Sequence, residues 1–236
     1  MNISHCSQHK VFLVRKLQSL LWKLDNTGNS NPTVNGEYRF LQHFSDDSSK
    51  KDNVVVFDIG ANQGTYTEKL LALSGSNRVQ VHLFEPQRSC FTNLKKKFGT
   101  DKRVALNNFG LSNETTTATI YKNVEGSGLA SLYKRNLDHY NIAMSETEEI
   151  KLRRGDEYMA KNNVTKIDLL KIDVEGHELN AFKGFGDYLS PKYIDYIQFE
   201  YGGANLDSHT SLLELHSFLT RKDFIMCKMM SRHLEV

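Results

Sequence analysis

Residues 54–71, VVVFDIGANQGTYTEKLL, join a short apolar run to an acid at its end, Asp58, two glycines beyond it, Gly60 and Gly64, and a helix-like pattern after them. An apolar run of this length bounded by glycine reads as a strand buried on both faces, the environment of a parallel sheet. In such sheets ligands bind outside the carboxyl ends of the strands, so Asp58, Gly60, Asn62 and Gly64 fall where a ligand would be held. Glycines there let the backbone approach a ligand closely and adopt positive φ. Thr65 and Glu68 have capping-box spacing, which predicts a helix starting directly after Gly64 with its positive end aimed at the same place.

The spacing G-x-N-x-G departs from the G-x-G-x-x-G of dinucleotide-binding turns. A carboxylate at Asp58 suits an ammonium group better than a pyrophosphate, which points to the methionyl end of S-adenosylmethionine. The next apolar run closes on LFEP. Glu85 then stands at the adjacent strand tip, where an ionised carboxylate can accept both hydroxyls of a ribose. An acid at this position serves nicotinamide cofactors equally well, so the choice between cofactors rests on the first turn. After a third run, NNFGLS offers Asn108, Phe109 and Gly110 as neighbours for an adenine, although Asn and Gly are also ordinary turn residues.

Six strand-like runs follow one another: VVVFDI, VQVHLFE, VALNNFGL, IDLLKID, YIDYIQFE and FIMCKM. Helical patterns separate most of them, at 65–73, 87–98, 177–185 and 211–219. Alternation of this kind predicts an α/β fold, a Rossmann-like, doubly wound and mostly parallel sheet of six or seven strands with helices on both faces. Residues 113–164 replace one simple crossover and read as a variable insertion, with a strand-like TTTATIY and a small-residue loop over 126–131. Residues 1–50 read as an N-terminal helical extension and 51–236 as the main domain. Within the extension, Val14, Leu17, Leu21 and Leu24 share one helical face, either packed on protein or laid on a membrane surface.

The fourth long run, LLKIDVEGHEL, places Lys171 and Asp173 on one strand face, with Glu175 and His177 following into a helix. Lys171 against Asp173 or Glu175 can be a structural ion pair, or the cluster can be an active site. Methyl transfer to a hydroxyl needs oxygen, carbon and sulfur in line and a group that takes the proton, for which Asp173, Glu175 and His177 have the right chemistry. In a different arrangement Asp173 and Glu200, from QFEYGG, hold a divalent cation that acidifies the hydroxyl. The sequence leaves both open.

Thirty basic and 28 acidic side chains leave a formal charge of +2, which speaks against nucleic acid as a partner without removing local patches from consideration. Cys6, Cys90 and Cys227 lie far apart with no C-x-x-C pair, against a disulfide framework or zinc knuckle and in favour of a reducing, cytoplasmic setting. The apolar stretch 11–24 is broken by Arg15 and Lys16 and does not read as a signal peptide, and no segment reaches membrane-spanning length.

VVVFDIGANQGTYT, VHLFEP, ALNNFGLSN, SGLASLY, IDLLKIDVEGHELNAFKGF and IQFEYG, in this order, resemble the FkbM-type methyltransferases, a branch of the S-adenosylmethionine-dependent class. The resemblance implies cofactor contacts at Asp58, Gly60, Asn62, Gly64 and Glu85, and Asp173 and Glu175 beside the transferred methyl. It also implies O-methylation of a hydroxyl-bearing acceptor, such as a sugar, glycolipid or related small molecule. Methyltransferases of this class usually end in an antiparallel hairpin that inserts its last strand into the sheet. Here that strand is expected to be short or missing, leaving an edge that favours a homo-oligomer. Two other readings stand beside this one. The first is a catalytically silent cofactor-binding scaffold. The second is an RNA ribose 2′-O-methyltransferase, whose lysine and aspartate Lys171 and Asp173 resemble.

Overall fold

All six residues of the strand Val54–Ile59 are buried, since strands flank it on both edges and helices cover both faces. A computed structural model describes residues 8–75 and 79–236. In chain order the strands are β1 (Val54–Ile59), β2 (Val79–Phe84), β3 (Val104–Asn107), β4 (Gly110–Leu111), β5 (Thr116–Lys122), β6 (Glu146–Arg153), β7 (Ile167–Ile172), β8 (Ile194–Phe199), β9 (Lys228–Met229) and β10 (Leu234–Glu235). The helices are α1 (Gln8–Leu24), α2 (Glu37–Ser48), α3 (Thr65–Leu73), α4 (Arg88–Phe98), α5 (Gly155–Lys161), α6 (Glu178–Lys183), α7 (Gly203–Asp207) and α8 (Leu212–Thr220). The chain divides into two compact units, one running to Phe44 and resuming over Cys227–Val236, the other spanning Ser45–Met226.

The larger unit is built on a parallel sheet in the order β3-β2-β1-β7-β8. Val55, Phe57 and Ile59 point into a core shared with Tyr158 and Met159 of α5, Leu179 and Phe182 of α6, and Leu215 and Leu219 of α8. The two-residue strand period turns Val54, Val56 and Asp58 to the opposite face. There α3 and α4, the crossovers from β1 to β2 and from β2 to β3, bury Leu70, Leu71, Leu94 and Phe98. The chain runs outward from β1 through β2 to β3, then crosses back to β7 on the other side of β1. That reversal opens a crevice at the carboxyl ends of β1 and β7. Register pairs Ile59 with both Phe84 and Ile172, so Asp58, Glu85, Lys171 and Asp173 all lie near one edge of the sheet.

Three expectations are corrected here. The sheet has five strands, because FIMCKM supplies only β9, which pairs antiparallel with β10 in a separate two-stranded ribbon. Ile225 is 82% exposed, and Phe224 packs against the core without pairing to a strand of the main sheet. The run VALNNFGL breaks at Asn108: β3 belongs to the main sheet, while β4 joins β6 and β5 in a three-stranded sheet inside the 113–164 region and its flank. The capping box does not form either. Thr65 is already the first helical residue, and Gly64 occupies the cap with φ of 71°. Glu68 turns outward and pairs with Lys97 at 2.6 Å.

In the smaller unit, the Asn26 side chain donates to the carbonyls of Asn35 (2.7 Å) and Met229 (3.1 Å), and Lys228 pairs with Asp25 at 2.6 Å. These bonds fasten the end of α1 to the terminal ribbon. Among the described residues no helix is long and apolar enough to cross a membrane.

Phe57 sits at the centre of the core, with the rings of His82, Phe84, Tyr158 and Phe185 at 5.0, 5.2, 5.7 and 6.4 Å. Phe57→Ala is expected to lower unfolding free energy by about 3–5 kcal/mol in a denaturant titration. A loss below roughly 1 kcal/mol would show that the sheet does not depend on this cluster.

Candidate active site

Gly60 has φ of 79°, and a Cβ there would overlap the carbonyl oxygen of Asp173, so only glycine lets the turn after β1 lie against the turn after β7. Asn62 follows in the left-handed region, φ 46°, which asparagine tolerates. This turn is tied to the tip of β2 by one side chain. Glu85 accepts the Asn62 N–H on Oε2 and the Gln87 N–H on Oε1, each at 2.8 Å. Glu85 is 2% exposed, and burial pushes its carboxyl up to about 7, against the pull of these two bonds.

A cavity of about 270 Å³ opens beside this junction. Gly60, Asn62, Glu85 and Gln87 line one side, Asp173, Glu175 and His177 another. A third side is apolar, formed by Leu111, Ile120, Ile150 and Leu152 of the small sheet. The loop 126–131 closes over it. The Ser127 carbonyl accepts from the side-chain amides of Asn62 (3.3 Å) and Gln87 (3.2 Å), and Ser131 Oγ donates to the Glu175 carbonyl at 2.6 Å. The loop thus touches both the Glu85 side and the Glu175 side.

Glu175 has a positive φ of 50°, an uncommon conformation for a glutamate and a sign of local strain. Its Oε2 accepts from Arg135 at 2.8 Å, and Arg135 also reaches Asp207 at 3.4 Å. Burial raises the Glu175 carboxyl to about 7, with the Arg135 charge opposing and the Asp173 charge adding to the rise. His177 is held at both ring nitrogens, by the Ser112 hydroxyl at 3.0 Å and the Tyr133 hydroxyl at 3.1 Å. Burial pushes the imidazole down to about 4, so the ring is neutral at physiological pH. Burial and the Asp173 charge together raise the Glu200 carboxyl.

The structure separates the expected site residues into two groups. Gly60, Asn62, Glu85, Gly110, Asp173, Glu175 and His177 line the cavity; Asp58, Gly64, Asn108, Lys171 and Glu200 are not among its lining residues. Asp58 is fully buried, accepts from Thr67 Oγ1 at 2.6 Å, and keeps Oδ1 3.7 Å from Lys171 Nζ. Lys171 also pairs with Asp173 at 3.2 Å, so its ammonium bridges the ends of β1 and β7 as a structural ion pair. A Cβ on Gly64 would strike Leu94 and Phe98 of α4, which makes this glycine a packing residue. Asn108 donates to the carbonyls of Glu85 (2.9 Å) and Pro86 (3.1 Å) and shapes the loop. Phe109 was expected near an adenine, but its ring lies in the main core against Phe84, 5.6 Å between centroids.

Several site residues escaped sequence reasoning. Glu178, 1% exposed, accepts the Gly176 N–H at 3.1 Å, the Val174 N–H at 3.3 Å and the Asn205 amide at 2.7 Å, fixing the turn that carries Glu175. Its signal was available, since an acid two residues past a glycine at a helix start is placed to accept the turn's N–H groups. Arg135 and Tyr133 gave none, being about forty residues from their partners. Gln87 lines the cavity, and its Oε1 is buried with no hydrogen-bond partner among the described residues. Such an orphaned acceptor fits a ligand that brings a donor, as an adenine amine would. Among the described residues no group of three or more His, Cys, Asp or Glu side chains has the arrangement of a metal site.

A doubly wound parallel sheet, with a glycine turn after the first strand and an acid at the tip of the second opening on one cavity, defines a Rossmann-like nucleotide-cofactor protein. The chain belongs to the FkbM methyltransferase family, whose profile, Methyltransferase FkbM domain, matches residues 58–226. It is similar to the hexuronic acid methyltransferase AglP of Haloferax volcanii, 27% identical over 157 residues, 66% of this chain and 59% of the relative. It is also similar to the 2-O-methyltransferase NoeI of Sinorhizobium fredii, 23% identical over 159 residues, 64% of this chain and 65% of the relative. Both matches span less than two thirds of the relative's length. The crystal structure of a methyltransferase FkbM from Methylobacillus flagellatus shares the fold, with a TM-score of 0.50 and 18% identity over 72% of this chain and 38% of that one.

Because both nitrogens of His177 are engaged in a dry setting, its ring is expected to stay neutral between pH 5 and pH 8 in a nuclear magnetic resonance titration, with a midpoint near 4. A midpoint at or above the ordinary value of 6.5 would contradict the burial described here.

Proposed function

We propose that this chain is an S-adenosylmethionine-dependent O-methyltransferase whose acceptor is a hydroxyl of a sugar, glycolipid or related small molecule. The observation that carries the proposal is a single cavity lined both by Glu85 with the Gly60–Asn62 turn and by Asp173 with Glu175. Family membership supports the reaction type, and the activities named for the two relatives support a sugar-type acceptor. The domain proposed to carry it is 51–236, with the extension 1–50 and the insertion 113–164 outside the cofactor turn. A cytoplasmic setting belongs to the same proposal.

Glu85 would hold the ribose, with lone pairs left on both oxygens after the two backbone bonds. Gln87 Oε1 would accept from the base, and Gly60, Asn62 and Gly110 would supply close backbone. Asp58, Gly64 and Asn108 act behind the wall, by setting the position of those groups. When bound, the cofactor supplies an electrophilic methyl on a sulfonium.

Glu175 takes the acceptor's proton. Its carboxyl, raised to about 7, is about half ionised at neutrality and more so above it, and is basic enough to share a hydroxyl proton, whereas the imidazole of His177, lowered to about 4, is a much weaker base. Arg135 aims Glu175, His177 with Tyr133 and Ser112 forms a rigid neutral wall, and Asp173 adds negative charge next to the reacting centre. Lys171 holds Asp173 in place. Glu200 stands beside Asp173, and the pair retains the option of a divalent cation.

Incubation with methyl-labelled cofactor and a panel of sugars, uronic acids and glycolipids tests the reaction. Labelled product is expected from at least one acceptor class, and intact cofactor throughout, with tight cofactor binding, would instead identify a silent scaffold. The rate is expected to rise with pH and level off above about 7, because Glu175 must be deprotonated to act. Glu175→Gln should lower kcat by roughly 10²–10⁴ and remove that inflection. An unchanged profile in the variant would assign the proton to another group. Glu85→Ala should weaken cofactor binding at least about tenfold in calorimetry, the loss of a charge-assisted pair; undiminished affinity would remove Glu85 from the ribose.

A further inference from the structure

Helix α1, Gln8–Leu24, carries no acidic residue and four cations, Lys10, Arg15, Lys16 and Lys23. Every residue from Lys10 to Leu24 is exposed. The exposed side chains include Phe12 at 59%, Leu17 at 53%, Leu21 at 62% and Leu24 at 68%, a density of uncovered large apolar groups unlike that of an ordinary surface helix. At 100° per residue, Leu13, Val14, Leu17, Leu20, Leu21 and Leu24 fall within an arc of about 120°. Arg15, Lys16 and Lys23 lie on the opposite face with Ser19, Phe12 and Trp22, and Lys10 falls within the apolar arc near the start of the helix.

We propose that α1 is a peripheral membrane-binding helix that lies in the surface of an anionic lipid bilayer, with its leucine face in the acyl boundary and its cations among the headgroups. The charge pattern selects this occupant. Val14, Leu17, Leu21 and Leu24 also have coiled-coil spacing, but a second copy of α1 would carry Lys10 into the seam and leave Arg15, Lys16 and Lys23 outside it without an opposite charge, whereas at a bilayer surface Lys10 can extend its head to the headgroups. An anionic surface neutralises the four cations while the apolar arc leaves water. At 17 residues the helix lies along the surface and does not span it. Trp22, on the cationic side, carries an amphipathic ring suited to the headgroup level. The inference stands apart from the catalytic proposal, because none of these residues lines the active-site cavity.

The chain contains one tryptophan, so Trp22 fluorescence reports on α1 alone. The full chain should float with vesicles of phosphatidylcholine mixed with phosphatidylglycerol, with blue-shifted Trp22 emission, and bind phosphatidylcholine vesicles at least about tenfold less well. Added salt should weaken binding. Leu17→Glu with Leu21→Glu should abolish flotation, and Lys16→Glu with Lys23→Glu should lower it at least about tenfold. Both double variants should retain the wild-type thermal midpoint, and the charge variant remains informative if the leucine variant unfolds. Absence of flotation, or equal binding to neutral vesicles, would overturn the proposal. So would a lipid-free blue shift that grows with protein concentration and disappears in the leucine variant, since that assigns the face to a second copy of the chain.

Discussion

Burial of the Glu85 carboxylate organises the cofactor side of the molecule. A charge removed from water is tolerable only where hydrogen bonds replace the lost hydration, and Glu85 obtains two from backbone N–H groups, of Asn62 and of Gln87. Satisfying the charge therefore dictates the shape of two turns at once. Glu178 repeats the arrangement across the cavity, where its oxygens take the N–H groups of Val174 and Gly176 and the Asn205 amide. Each wall of the site is a turn that folds around a buried glutamate, and between them Lys171 joins Asp58 to Asp173. A site built from backbone held in this way has little freedom to relax when a ligand arrives, which is the condition for positioning a reaction.

The main sheet was readable because its strands obey local rules. β1, β2, β7 and β8 are short apolar runs that end in an acid or a turn, and their helices fill the gaps with the expected spacing. The residues placed away from the cavity are those whose surroundings depend on distant neighbours. Asp58 has the right type and position for a ligand contact, yet it lies fully buried behind the wall, with Thr67 on Oδ2 and Lys171 3.7 Å from an Oδ1 that has no hydrogen-bond partner among the described residues. Phe109 sits next to Gly110 in sequence, but the break between β3 and β4 sends its ring into the core and leaves the glycine at the cavity. Strand periodicity cannot register a change of sheet in the middle of an apolar run.

The capping box failed for a related reason. The helix starts directly after Gly64 as the spacing predicts, but the chain reaches it through a left-handed Gly64, pressed against Leu94 and Phe98, and Gly64 takes the cap in place of Thr65. Tertiary contact prevailed over a local capping preference of about 1 kcal/mol. The run FIMCKM shows a different limit, since Phe224 finds cover against the core while Ile225 stays exposed, and only two residues of the run become strand.

The two kinds of wall in the cavity come from different parts of the fold, and this separates chemistry from selectivity. The acidic walls arise from strand tips whose backbone is pinned by Glu85 and Glu178, so their geometry follows from the sheet itself. The apolar wall arises from β4, β5 and β6, outside the parallel sheet, with Leu111 alone also packed in the core of that sheet. Arg135 crosses that division. It lies in the insertion, yet its guanidinium holds Glu175 against Asp207 and opposes the rise of the Glu175 carboxyl. A change in the insertion that moved Arg135 would alter both the direction and the basicity of Glu175, so the part of the chain that shapes the pocket also tunes the group proposed to accept the proton.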